Sequence, residues 1–392
     1  MSQSRTAKLR PLSSIYQTES RRRYGSPFAG MHDSSLLQRR PFPQNRTLTS
    51  EPHTSMKLSR RAVLGRGLAI PLSISLSPFI SLRSAVASAP SSLAIVMNSG
   101  EASVSVIDME SRKVVRTLPT LREPSHWALS QDRNKLYIAD ASGNALFIVD
   151  PHTGTALGHK VIADPYQLGF TPDHRYLVVN ALRLDYVDVY RADDLSLVKR
   201  FSPGSMPSHL DFSPDSRWSF NSMQGSGTLV SFDMTSMAIR WKSKVGSTPA
   251  GVLWHNGKVL VCVMGSDHVA EVDPVTGEVL RRVKTGVGPH NIFLAPDGAT
   301  LYVSNRIGGS LVALDPTTLA LRRTYPFHAA GPDDIGVAPD GKLWITLRFR
   351  EQVAVLDPKS GAYETIDVGR SPHGIFLSSE LSRKGLITAE TL

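Results

Sequence analysis

The chain is predicted to be all-β, a seven-bladed β-propeller with four-stranded antiparallel blades, and two regularities in its 392 residues predict this. Short apolar runs recur with a charged end: "VSVID" to Asp108, "LFIVD" to Asp150, "VDVYR" to Arg191, "LVSFD" to Asp233, "VAEVD" to Asp273, "LVALD" to Asp315 and "VAVLD" to Asp357. A proline that opens another apolar run recurs in the same rhythm, at Pro124, Pro165, Pro207, Pro249, Pro289, Pro332 and Pro372. A fixed period of roughly 40 to 50 residues marks a repeat architecture, and seven units are present.

The elements of one unit can be taken in order from residues 289–324, "PHNIFLAPDGATLYVSNRIGGSLVALDPTTLALRRT". The proline-led run "PHNIFL" ends at Pro-Asp-Gly, where Pro fixes φ and Gly accepts positive φ. "LYVSN" follows, then a small-residue loop, then "LVALD" and a second turn opened by Asp-Pro. "ALRRTY" supplies the fourth run. Each run alternates at about a two-residue period and falls short of the 10 to 12 residues an amphipathic helix needs. "LYIADASGNALFIVDP", 165 residues before "LYVSNRIGGSLVALDP", has the same shape. It recurs because one four-stranded sheet buries both faces only by stacking on its neighbours. The first strands, from Leu93, are expected to complete the blade that begins around Gly374, which removes an open sheet edge. "LITAE", residues 386–390, competes for that place.

These units resemble the YVTN β-propeller repeat in the Pro-His-Gly start, the Pro-Asp-Gly turn, "LYVSN" for "LYVTN" and "LVALD" for "VSVID". The resemblance covers residues 93–390, with departures at Arg191, at "WHNGK" and at "SQDRNK". None of the five tryptophans is followed by Asp, which sets WD40 repeats aside. Residues 339–361, with "SPHG" after them, are also similar to virginiamycin B lyase repeats. Such repeats host unrelated activities, so two function classes stand. One is an exported binding or scaffold module that takes a small molecule or a protein at its channel face. The other is a propeller enzyme, a metal-assisted lyase or lactonase.

Upstream, residues 1–55 are rich in Arg, Ser, Pro and Gln without apolar periodicity, a disordered basic extension by composition that precedes the preferred start at Met56. Residues 56–87 read as an export signal: a charged start, a moderately apolar core and "AVA" before a cut near Ser88, leaving residues 88–392 as the propeller. "SRRAVLG" resembles the twin-arginine export motif, implying a periplasmic or extracellular protein with no stable membrane anchor after cleavage. Residues 1–87 carry 14 Lys and Arg against 3 Asp and Glu, so the basic balance of the chain belongs to the leader. The remainder is nearly neutral, and no nucleic-acid partner is expected. The single cysteine, Cys262, sits in the apolar run "VLVCVMG" and reads as an inert buried thiol. No C-x-x-C-H haem motif occurs.

Strand direction locates the chemistry. The proline-led starts and the loops after "LYVSN" share one face, here face one. The Pro-Asp-Gly and Asp-Pro turns share the other, so Asp150, Asp273, Asp315 and Asp357 read as turn residues. The positions after each proline vary and are expected to rim the channel. They place His290, Asp333, Asp334, His373 and His126 on one arc of adjacent blades, with His209 further round. Imidazoles and carboxylates converging there suit a divalent metal, with His126, His290, Asp334 and His373 as candidate ligands, or acid–base work. The alternative is that His after Pro serves the repeat itself. Arg183, Arg306, Arg348 and Arg350 lie in nearby loops and suit an anionic ligand.

Overall fold

A computed structural model describes residues 92–382. The extension, the export signal and the "LITAE" run lie outside the described residues. Within them the chain forms 28 strands in seven four-stranded antiparallel sheets. Blades 1 to 6 span residues 124–161, 165–201, 207–244, 249–283, 289–326 and 332–367 in order. Each runs from its proline-led strand at the channel to a largely exposed outer strand, such as Leu321–Pro326.

Blade 7 closes the ring. Its innermost strand, Pro372–Leu377, pairs with the first strand of the chain, Leu93–Asn98, with Ala94 opposite Leu377 and Ile95 opposite Phe376. Strands Ser103–Asp108 and Lys113–Pro119 complete that sheet. Two bonds lock the junction: Leu93 N donates to Ser378 Oγ at 2.7 Å, and Trp127 Nε1 of blade 1 donates to the Ile375 carbonyl at 2.9 Å. No sheet edge faces the gap between first and last blades, which is what closure achieves.

The core divides into seven apolar clusters, one in each gap between neighbouring blades. Trp127, Ile138 and Phe376 pack with Leu93 and Ile95 between blades 7 and 1. Cys262 is buried beside Leu253 and Ile292 between blades 4 and 5, as expected of a small apolar residue. The Asp-Pro turns follow their sequence reading. Asp150, Asp273, Asp315 and Asp357 each accept backbone N–H bonds from residues two and three further on. Those bonds consume the carboxylates in turn formation.

Candidate functional site: the channel mouth

Every innermost strand is irregular just after its proline. The pairing shifts between Pro124 and Trp127, Pro165 and Gln167, Pro207 and Leu210, Pro249 and Val252, Pro289 and Asn291, and Pro332 and Ile335. Blade 7 shifts at the same level, opposite Asn98. A bulge leaves an unpaired residue and re-aims its side chain. The freed backbone groups are satisfied by the small polar residue of the second strand. Ser304 Oγ accepts from Asn291 N and donates to the Asp333 carbonyl of the next blade at 2.8 Å. Thr346 Oγ1 does the same for Asp334 N and the His373 carbonyl. The polar residue in "LYVSN" therefore fixes the bulge that aims the channel residues.

These bulges gather four histidines at the axis. His126, His209, His290 and His373 are all at most 2% exposed. His126 Nε2 lies 3.3 Å from His209 Nε2, and its ring centroid is 4.4 Å from that of His373. His209 and His290 rings stand 5.0 Å apart. His209, expected further round, is a full member of the cluster, and the imidazoles plug the channel rather than rim it.

Asp333 anchors one side. His290 Nδ1 lies 2.7 Å from Asp333 Oδ1, and Arg306 contacts the same oxygen. Arg348 Nη1 donates to Oδ2 at 3.2 Å, and His373 Nε2 stands 3.7 Å from it. Arg306 also donates to His290 Nε2 at 2.6 Å. Arg306 and Arg348 are each the first residue after the second strand of adjacent blades, which brings both to face one. Tyr166, partly exposed, stacks edge-on over His126 and completes the mouth.

Asp334 does other work. Its Oδ1 accepts from Ile335 N and its Oδ2 from Ile375 N of blade 7, so it ties neighbouring innermost strands together. Gln167 Oε1 does this for Leu210 N, and Asp211 for Trp254 N. The other loop arginines do not converge on the channel. Arg183 pairs with Asp164 and Glu123, and Arg350 is exposed.

Burial sets the charge states. Desolvation lowers His126 to about 3, aided by the nearby His290, and lowers His290 to about 4, aided by Arg306. Burial likewise pushes His209 and His373 well below the usual imidazole range. The cluster is neutral at physiological pH. For Asp333, burial pushes upward, but Arg306, His290 and His373 together hold the carboxyl well below its ordinary value. For Asp334 burial dominates, and the neighbouring Asp333 adds to it, so the carboxyl is raised well above its ordinary value. The surroundings thus push these adjacent carboxyls in opposite directions.

The mouth consequently carries two guanidinium charges and one carboxylate, a local excess of one positive charge. His290, Asp333 and His373 offer donor atoms within 4.8 Å of one another, a spacing a metal ion can use. Both oxygens of that carboxylate, however, already face guanidiniums. A groove of about 470 Å³ lies on face two between blades 5 and 6, lined by Pro296, Asp297, Pro339, Leu343, Pro358 and Lys359 among others. Among the described residues its only charged lining residues are Asp297 and Lys359. The channel mouth is the stronger candidate because titratable groups converge there.

A family model described as YNCE-like beta-propeller matches residues 66–383. The chain belongs to that family. Among curated proteins it is similar to a 6-phosphogluconolactonase of Bacillus subtilis (strain 168), 28% identical over 169 residues. That match covers 38% of this chain and 48% of the other, so it spans about half the length of the curated relative. The fold is similar to that of the periplasmic gluconolactonase PpgL of Pseudomonas aeruginosa, with TM-score 0.61, 19% identity and coverage of 73% of this chain and 99% of that one. A functionally unknown protein from Desulfotomaculum acetoxidans DSM 771 is similar at TM-score 0.62 and 13% identity, over 73% of this chain and 98% of the other. At these identities the solved structures speak for the fold alone.

Proposed function

We propose that this family member is an exported binding propeller whose channel mouth takes a small organic anion between Arg306 and Arg348. The observation that carries this is the pair of partly buried guanidiniums aimed at one carboxylate, which leaves a net positive charge beside neutral imidazoles. A ligand carboxylate or phosphate suits a guanidinium pair because planar donor forks match it bidentately. The names of the gluconolactonase relatives suggest sugar acids and their lactones as the first ligands to try. Export is supported by the "SRRAVLG" and "AVA" features of the leader.

Lactone hydrolysis is the second reading, favoured by the 2.7 Å His290–Asp333 contact and the names of those relatives. An imidazole with its Nδ1–H held by a carboxylate can take a proton from water at Nε2 as water attacks the lactone carbonyl. The ring C–O bond then breaks and its oxygen takes up a proton. Burial lowers His290 to about 4, however, and Arg306 already donates to its Nε2 at 2.6 Å, so this imidazole is a weak and occupied base at neutral pH. Binding therefore leads.

Calorimetric titration with gluconate and with 6-phosphogluconate tests the binding reading. Affinity should weaken at high salt and fall at least about tenfold in Arg306→Gln and Arg348→Gln. Equal affinity in the wild type and both variants overturns it. Base uptake during glucono-lactone opening, measured beside the spontaneous rate, decides the second reading.

A further inference from the structure

We infer that the anion taken at the mouth is a carboxylic acid with an apolar chain, selected by Ile307 and Phe349. This narrows the ligand of the anion-binding reading, on which it rests. In every blade the second and third strands pair across a loop of the same length, residues 306–309 between Asn305 and Ser310 in blade 5 and residues 348–351 between Leu347 and Gln352 in blade 6. Corresponding positions can therefore be compared. Directly after the mouth arginines stand Ile307 and Phe349, whereas the other blades carry Gly100, Ser142, Arg183, Gly225 and Gly265 there. A large apolar side chain thus occupies this position only in the two blades that supply the mouth arginines.

Both side chains remain at the surface, Ile307 52% and Phe349 48% exposed, and both are held in place. A Cβ on Gly288 would fall 2.4 Å from Ile307 Cγ1, and one on Gly331 would fall 2.5 Å from Phe349 Cδ2. These glycines have φ of 66° and 63°, so each apolar side chain lies directly on a left-handed glycine of the segment that enters its blade. Backbone bonds clip the same segments together. Gly308 N donates to the Val287 carbonyl at 2.8 Å, and Phe349 N donates to the Ala330 carbonyl at 2.9 Å. Val287, 53% exposed, continues the apolar strip beside Ile307. A surface fixed in this way loses little freedom when a ligand covers it.

Charge and apolar surface together name the ligand. Binding sites combine a few placed polar groups, which fix orientation, with apolar side chains that are covered on binding. Arg306 and Arg348 supply the positive charge that a carboxylate complements. A polyhydroxylated acid would set hydroxyls against Ile307 and Phe349, where they find no partner. An aliphatic chain covers those side chains instead, and removing about two methylenes from water is worth roughly tenfold in affinity.

The test is calorimetric titration of the full mature chain with gluconate and with hexanoate, which has the same carbon chain without the hydroxyls. Hexanoate should bind at least about tenfold more tightly, and that preference should vanish in Ile307→Ser/Phe349→Ser. Arg306→Gln should weaken both acids, since they share the carboxylate. Val275→Ser, in an exposed turn on face two, should change neither affinity. Equal affinity for the two acids in the wild type, or tighter binding of gluconate, overturns the inference. So does a hexanoate preference that survives the double variant, as binding in the face-two groove beside Lys359 would give. In each of these cases a gluconate affinity that still falls in Arg306→Gln leaves the anion-binding reading standing. If neither acid binds the wild type, both readings fall. The wild-type comparison gives an answer even if the double variant fails to fold.

Discussion

Replacing Asp333 by Asn removes the one negative charge between Arg306, Arg348 and His290 while keeping the shape of the side chain. Asp333 is fully buried, while the two arginine side chains keep 13% and 22% exposure. Breaking a buried pair by removing one partner typically costs about 3–5 kcal/mol. The residual exposure of the guanidiniums places the expected loss at the lower end, about 3 kcal/mol. One amide oxygen still accepts from His290, but the new NH₂ group faces a guanidinium donor. In a domain of this size that loss should lower the melting temperature by roughly 5 °C. Asp334→Asn is the matched control. Burial raises its carboxyl well above the ordinary value and its oxygens accept backbone N–H bonds from Ile335 and Ile375, so the change removes one of two acceptors, at a cost of about 1–2 kcal/mol. Urea unfolding of both variants at pH 7.5 measures the difference. A loss below 1 kcal/mol for Asp333→Asn, or equal losses for the two variants, would refute the charge assignment.

Three further outcomes are expected. The four buried histidines have folded pKa values depressed below the unfolded value near 6.5, so the unfolded chain binds more protons and stability falls as pH drops from about 6.5 toward 4. With four groups the limiting slope is about 5 kcal/mol per pH unit, and urea midpoints across that range in a His126→Gln/His209→Gln variant should show it roughly halved. Asp211, buried without a cation, is raised to about 7, so its contribution to stability falls as pH rises from about 4 through 7. Asp211→Asn should remove that component from the urea midpoints, and an unchanged profile would exonerate Asp211. Mass spectrometry of the secreted protein should find its N-terminus near Ser88, and Arg60→Lys/Arg61→Lys should block export.

The blade count, the channel-side strands and the closure by Leu93–Asn98 were legible because each rests on periodic local signals: a proline, an Asp-Pro turn, a two-residue alternation. The channel cluster was legible only in part. Its members come from two registers: His290, Asp333 and His373 directly follow the proline, while His126 and His209 stand one residue later. In a regular strand such neighbours point to opposite faces, and the bulges after the prolines bring them together. The same bulge turns Asp334 to the backbone of blade 7, although it is adjacent to Asp333 in sequence. A polar residue at the Ser304 and Thr346 positions was the available clue, since it satisfies the bulge. The distinction between Arg306 and Arg183 was not legible, because it depends on a local carboxylate, Asp164, that captures Arg183 first.

The most direct test of the account is a crystal structure of the mature protein soaked with gluconate. The ligand carboxylate should lie within hydrogen-bonding distance of the Arg306 and Arg348 guanidiniums, above the histidine cluster at the face-one mouth. Ligand density in the face-two groove beside Pro296 and Lys359, with the mouth arginines still engaged only with Asp333, would contradict it.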